Sequence, residues 1–334
     1  MSQLELKPNL LPVPETARFT LRGHLQIARI DHWCKNVFVF PGIVAAIGIN
    51  RGGVPPGLLL RSGLGLASIC LIASSNYVLN EVLDAPYDRM HPLKWARPVP
   101  SGQVSLPVAY GQWIALMLIG VALGLCISPF FMGTALALWI MGCIYNIPPV
   151  RSKDLPYVDV LSEAVNNPLR LLAGWLLVGT RSIAPASLLL SYWMIGCYFM
   201  AMKRYAEYRS LGDAGRAASY RKSFATYTEE RLLVSIMFYG SSAMLFLGAF
   251  IMRYRMELIL AFPLVALVMA IYLSLAFKPN SPVENPEKLY REPRLMAALA
   301  LCTLVIGVLL LVDLPALHTI VSPTAPTIAA HAGR

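Results

Sequence analysis

Asn80, Asp84 and Asp88 follow one another at four-residue spacing. On a helix this places an amide oxygen and two carboxylates on one stripe, with neighbouring Cβ atoms ~5–6 Å apart. Such a set suits Mg2+, which prefers oxygen, keeps several waters, and is shared between one or two carboxylates and substrate phosphates. Glu81 is rotated off the stripe. Pro86 stands between the aspartates, and proline breaks a helix interior. The helix therefore kinks, or it ends near Ala85 and leaves Asp88 on a loop, which makes Asp84 the safer ligand. Arg89, His91, Lys94 and Arg97 come directly afterwards. Acids beside bases at the mouth of an apolar run read as half of a site for a metal and a phosphate.

A second half stands further on. Asp159, Glu163 and Asn167 repeat the spacing, preceded by Tyr145, Arg151 and Lys153 around the pair Pro148-Pro149. The helix dipole favours an acid at a helix start. That accounts for Asp159, but not for a stripe that continues into an apolar segment. Arg170 lies deeper in the same segment and needs a polar partner there, because ionisable groups at membrane depth are costly. Two facing carboxylate stripes repel each other. Cations and a diphosphate between them offset that repulsion, with nearby Lys and Arg completing the balance.

The elements that must position these residues are membrane spans. Of 334 residues, 57% are hydrophobic and 14% charged, and the mean hydropathy is +0.58. Soluble domains carry roughly 25% charged residues. Nine apolar segments are each about long enough to cross a bilayer: 36–50, 58–84, 104–126, 129–147, 158–179, 184–204, 231–252, 256–277 and 294–315. Leu21 to Trp33 reads as an interfacial helix with Leu21, Leu25, Ala28 and Trp33 on one face. The expected architecture is all-α. A single membrane domain covers 21–315, between flexible tails at 1–20 and 316–334.

The net charge of +10 collects in the loops after the even-numbered spans. The positive-inside rule then places the N-terminus and both acidic clusters in the cytoplasm. The loop 204–230 mixes bases with Tyr205, Tyr208, Tyr220 and Tyr227. It reads as a positive cytoplasmic loop or as a lid over the phosphate site, and no nucleic-acid partner is expected. Five of six cysteines lie in apolar runs and no CxxC occurs, so neither disulfides nor zinc are expected. No inverted repeat is evident and the acids sit near one face, which ranks a cation-coupled transporter well below an enzyme.

These residues resemble the UbiA-type membrane prenyltransferases. That family has nine transmembrane helices and two Asp-rich motifs. The first motif corresponds to Asn80, Asp84 and Asp88. The second region corresponds to Tyr145, Pro148, Pro149, Arg151 and Lys153, followed by Asp159 and Glu163, where the family carries a second Asp. The resemblance covers about Arg29 to Val312. It implies a Mg2+-dependent transferase of a bacterial-type inner membrane, with Asn80, Asp84, Asp88, Asp159 and Glu163 as metal ligands, and with Asp84, Asp88 and Asp159 central to catalysis. Asn80, Lys94, Arg97, Tyr145, Arg151 and Lys153 would bind a diphosphate-bearing donor. The expected reaction is transfer of a polyprenyl group to an acceptor, and no general base stands out. A second resemblance is carried by Trp33-Cys34-Lys35-Asn36, the run from His91 to Pro98, Lys203-Arg204-Tyr205-Ala206-Glu207, and Arg221-Lys222-Ser223. These look like the polyprenyl-phosphate (decaprenyl-phosphate) phosphoribosyltransferases, which share the fold. This alternative implies a phosphoribosyl diphosphate donor and a lipid phosphate acceptor. Lys35, Lys203 and Arg204 then join the binding set. Oligomeric state is not encoded in any of these motifs.

Overall fold

The computed structural model describes residues 19–51, 53–89, 94–284 and 286–317, and among them every regular element is a helix. In chain order these are α1 (Leu21–Ile27), α2 (Phe40–Asn50), α3 (Leu58–Asp88), α4 (Leu106–Ile127), α5 (Pro129–Asn146) and α6 (Val158–Ala164). They continue as α7 (Asn166–Leu177), α8 (Ala186–Leu211), α9 (Ala214–Tyr220), α10 (Glu229–Tyr254), α11 (Phe262–Ala276) and α12 (Pro293–Leu311). Among the described residues, seven helical stretches are long and apolar enough to cross a membrane. The other two apolar segments of the sequence form α6 with α7, and α8. Those elements carry Asp159, Glu163, Arg170, Lys203 and Arg204, so the polar load of the site falls on them.

The first half of the bundle is built on α3. Its 31 residues span about 46 Å at 1.5 Å per residue, against a hydrocarbon core of ~30 Å. The surplus turns carry Asn80, Asp84 and Asp88 to the membrane margin. Pro86 lies inside α3, and the helix runs on to Asp88. The proline removes one backbone donor in the last turn, yet Arg89 N–H still reaches Ala85 O at 3.1 Å. Small polar side chains tie the neighbours to α3. Ser68 donates to Gly120 O (2.6 Å), Ser75 to Trp113 O (2.7 Å) and Asn76 to Leu138 O (3.0 Å). Such bonds, with small residues at the contact, hold helices together where lipid removes the hydrophobic drive.

α2 and α7 meet still more closely. A Cβ on Gly42 would stand 1.9 Å from Leu171 O, and one on Gly174 1.9 Å from Val39 O. Only glycine permits that approach. The second half is organised on α8 and α10 around Met202, Leu232, Ile236 and Tyr239, with Ser191 donating to Ala243 O at 3.0 Å. At the end remote from the acids, the buried Arg255 reaches Leu309 O, Val312 O and Asp313 and fastens the end of α12.

Two local expectations are corrected. The predicted interfacial helix does not run to Trp33. α1 ends at Ile27, Arg29 adopts a left-handed φ of 47°, and residues Ile30–Val39 continue as a 3₁₀ helix. Gly23, His24 and Ile27 pack against the protein, and Leu21 and Leu25 are exposed. The second acidic stripe is interrupted as well. Asp159 and Glu163 share α6, but Asn167 belongs to α7, across a break at Val165. Both expected tails fall largely outside the described residues.

Candidate active site

The two acidic motifs are joined by the segment between α5 and α6. Its backbone is strained where it matters: Arg151 has φ 29° and Tyr157 φ 64°. Such conformations cost of order 1–3 kcal/mol each and persist where surrounding structure over-determines them. The turn swings Arg151 and Lys153 back onto α3. Arg151 Nη2 donates to Asp84 Oδ1 at 2.8 Å, and Lys153 Nζ to the same oxygen at 2.5 Å. Lys153 also donates to Asn146 Oδ1 at 2.9 Å. Arg151 Nε lies 3.2 Å from Asp154, and its guanidinium stacks over Tyr87. Burial pushes the Lys153 ammonium down to about 8, against the opposing pull of Asp84. A cation of that kind gains more than a solvated lysine from a second anion beside it.

Asp159 has a different environment. It is fully buried, and its carboxylate is held by four side chains from α8 and the 204–230 segment. Arg204 Nε donates at 3.0 Å, Tyr227 Oη at 2.7 Å, Ser223 Oγ at 3.4 Å and Arg221 Nη1 at 3.5 Å. Arg204 is itself buried and is shared with Glu207 (2.9 Å) and the Tyr145 hydroxyl (3.5 Å). Lys203 makes a looser pair with Glu207 at 3.9 Å. Lys222 pairs with Asp154 at 3.4 Å. The 204–230 segment is therefore not a free loop. α8 extends into it as far as Leu211, α9 follows, and a short 3₁₀ turn at Lys222–Ala225 seats Ser223. It packs on the motif as a lid would.

On the opposite flank, Asp88 pairs with Arg97 at 2.6 Å. Lys94 lies over the Tyr220 ring at 4.8 Å, linking the α3–α4 connection to α9. Burial lowers the Lys94 pKa from the usual lysine value. Lys35 sits on another wall, on the 3₁₀ helix beside Asn36. The Asn36 side chain accepts from Arg170 Nε at 3.0 Å and donates to Cys70 at 3.1 Å. That amide is the polar partner Arg170 required. His91 lies outside the described residues.

The expected site residues thus divide. Asp84, Tyr145, Arg151, Lys153, Asp159 and Arg204 are linked through direct contacts and neighbours in one network. Lys94, Arg97 and Asp88 flank it, and Lys35 lies on the 3₁₀ helix Ile30–Val39. Sequence reasoning passed over Asn146 and Asp154, which nothing in their spacing marked, and met Glu207 only as the last residue of the run that carries the second resemblance.

Mg2+ fits part of the expected ligand set. Among the described residues, no hydrogen bond reaches Asp84 Oδ2, the Asn80 side chain or the Glu163 carboxylate, and each residue is only partly buried. Asp88 and Asp159, also expected as ligands, pair with arginines. No group of three or more His, Cys, Asp or Glu among the described residues could hold a metal by itself. An Asn–Asp pair completed by water and phosphate oxygens matches the habit of Mg2+.

A helical membrane bundle with a polar diphosphate-type centre at one margin defines a class of lipid-modifying transferases. The UbiA prenyltransferase family model matches residues 38–292, and the chain belongs to that family. The decaprenyl-phosphate phosphoribosyltransferase of Mycolicibacterium smegmatis is 26% identical over 239 residues, which is 70% of this chain and 71% of that protein. The enzyme of the same name from Mycobacterium tuberculosis is 30% identical over 222 residues, covering 63% of this chain and 67% of its own. Among solved structures, a UbiA homologue from Archaeoglobus fulgidus bound to GPP and Mg2+ superposes with a TM-score of 0.63. It shares 20% identity and matches 84% of this chain and 99% of its own.

Proposed function

We propose that the chain transfers a phosphoribosyl group from phosphoribosyl diphosphate to a polyprenyl phosphate, in a cytoplasm-facing site of a bacterial-type inner membrane. The observation that carries this reading is the state of Asp159. Its carboxylate is engaged by Arg204, Arg221, Ser223 and Tyr227, so the second motif presents arginines rather than a second bare carboxylate stripe. Bases outnumber acids around Asp84 and Asp159. That balance suits a donor with three phosphate groups meeting a lipid phosphate better than it suits a single prenyl diphosphate. The named relatives support the same choice.

Asn80, Asp84 and Glu163 would hold Mg2+, with Asp88 and Asp159 fixing arginines. When bound, the ion neutralises charge on the departing diphosphate. Arg151 and Lys153 keep Asp84 in place through one oxygen and offer their remaining N–H groups to the diphosphate. Arg204 and Arg221, locked on Asp159, are positioned for the donor's far phosphate. Fixed donors of this kind need no reorganisation as charge develops at the ribose C1. The acceptor phosphate oxygen attacks that carbon, and the diphosphate leaves. The chain's nine apolar segments would all cross the membrane as one domain.

Transfer of a prenyl group from a prenyl diphosphate is the second reading, favoured by the intact Asn80, Asp84, Asp88 motif and by the fold shared with the GPP-bound homologue. One experiment separates them. Purified protein with Mg2+ is given labelled phosphoribosyl diphosphate plus polyprenyl phosphate or, separately, labelled prenyl diphosphate plus candidate acceptors. Label entering lipid from the sugar donor supports the first reading. Label entering only from the prenyl donor replaces it with the second.

A further inference from the structure

Beside the Asp88–Arg97 pair lies a cavity of about 720 Å3 between α1, the start of the following 3₁₀ helix and the α3–α4 connection. None of the chemistry above uses it. Its walls combine Arg22, Arg29 and Arg97 with Leu21, Leu25, the buried Glu81 and Asp31, whose carboxylate pairs with His32 at 2.8 Å. The volume is within the range of small-ligand sites.

The cavity exists because of how α1 is docked. Thr20 donates to Gln103 O at 2.9 Å, His24 bonds Gln112 at 3.0 Å, and Gly23 lies against the 103–104 backbone and side chains. This turns Gly23, His24 and Ile27 inward. Leu21 and Leu25 remain 67% and 55% exposed along the cavity. Its arginines are held in place from behind. Glu81 accepts Val99 N–H at 3.2 Å with one oxygen and faces Arg29 Nη2 at 3.6 Å with the other. Arg97 spends one N–H on Asp88. Each guanidinium has five donors, so most of both forks remain for another anion. Arg22 is exposed and forms no ion pair with any described residue. Leucines beside fixed arginines at the membrane margin match a molecule with an apolar chain and a phosphate head, not a soluble anion.

We propose that this cavity binds the phosphate end of a lipid monophosphate, and that the lipid is the acceptor of the transfer reaction. The second clause rests on the function proposed above. Arg22 and Arg29 meet the phosphate, Leu21 and Leu25 carry the first chain units, and Arg97 connects the cavity to Asp88 and the donor centre.

The test uses the full chain in detergent, with farnesyl phosphate as probe in calorimetric titrations. Farnesol, inorganic phosphate and phosphatidylglycerol are the comparison ligands. Arg22→Glu should weaken farnesyl phosphate roughly tenfold, about 1.4 kcal/mol, while the affinity for phosphoribosyl diphosphate stays unchanged. Leu25→Ser should weaken farnesyl phosphate but not inorganic phosphate. Arg181→Glu, outside the site, should change neither. Unaltered farnesyl phosphate binding in Arg22→Glu and Leu25→Ser overturns the proposal, as does inorganic phosphate binding as tightly as the lipid. If phosphatidylglycerol displaces the probe while Arg22→Glu leaves turnover intact, the site belongs to bulk anionic lipid and the acceptor assignment falls. If Arg22-dependent binding persists but no sugar label reaches lipid, the binding site stands and the transfer reaction is the part that fails.

Discussion

Asp84 and Asp159 are both motif acids, yet they occupy opposite electrostatic situations. Asp84 is partly exposed and paired through one oxygen, whereas Asp159 is fully buried under four donors. Substitution should therefore separate catalysis from stability. Asp84→Asn should lower transfer by roughly 10²–10³-fold with little change in melting temperature, read by product formation beside a thermal shift. Asp159→Asn removes the charge that compensates buried Arg204. Breaking such a pair costs about 3–5 kcal/mol, so melting temperature and activity should fall together. Glu163→Gln should leave melting unchanged and raise the Mg2+ concentration for half-maximal activity. An unchanged Mg2+ requirement would remove Glu163 from the ligand set.

At the scale of elements, the site depends on helices brought closer than ordinary side chains permit. α7 follows directly from α6, which carries Asp159 and Glu163, and its seat on α2 is set by Gly42 and Gly174. Gly174→Leu would force the helices apart and tilt α6 with them. The expected result is loss of a monodisperse peak in size-exclusion chromatography, or retained folding with sharply reduced transfer. Wild-type activity in that variant would mean α6 is positioned by its contacts with α8 alone. Arg204 on α8 holds Asp159 of α6, and Arg221, Ser223 and Tyr227 beyond α8 hold the same carboxylate, so the 204–230 segment acts as a clamp on α6 as well as a cover.

Across the whole molecule, charge is segregated by end. The acids and bases of the site lie at one margin, and the Arg255–Asp313 fastening of α12 lies at the other. In the proposed orientation, which follows the positive-inside rule, the first margin faces the cytoplasm. In a cysteine-free background, an impermeant maleimide added to intact cells should label Ser182→Cys and spare Ser210→Cys. Reversed labelling would invert the orientation. Chelation of Mg2+ should abolish transfer, and restored Mg2+ should return it, as measured with the labelled donor.

The sequence by itself determined the helical membrane class and the two acidic regions. Apolar runs of bilayer length and four-residue spacings are local signals that survive any packing. Pro86 left the end of α3 ambiguous, because a proline near a terminus can stop a helix or be absorbed in its last turn. Only the tertiary structure decided that it is absorbed. It also decided that α1 turns Leu21 and Leu25 outward, that the second stripe breaks at Val165, and that Asp159 belongs to Arg204 and Tyr227. The last of these depends on partners 45 and 68 residues away, and spacing along one helix cannot reveal which distant cation claims a buried carboxylate. The first acidic motif was legible because its residues share a helix. The second was only half legible, because its carboxylate is completed by side chains that reach it through the fold.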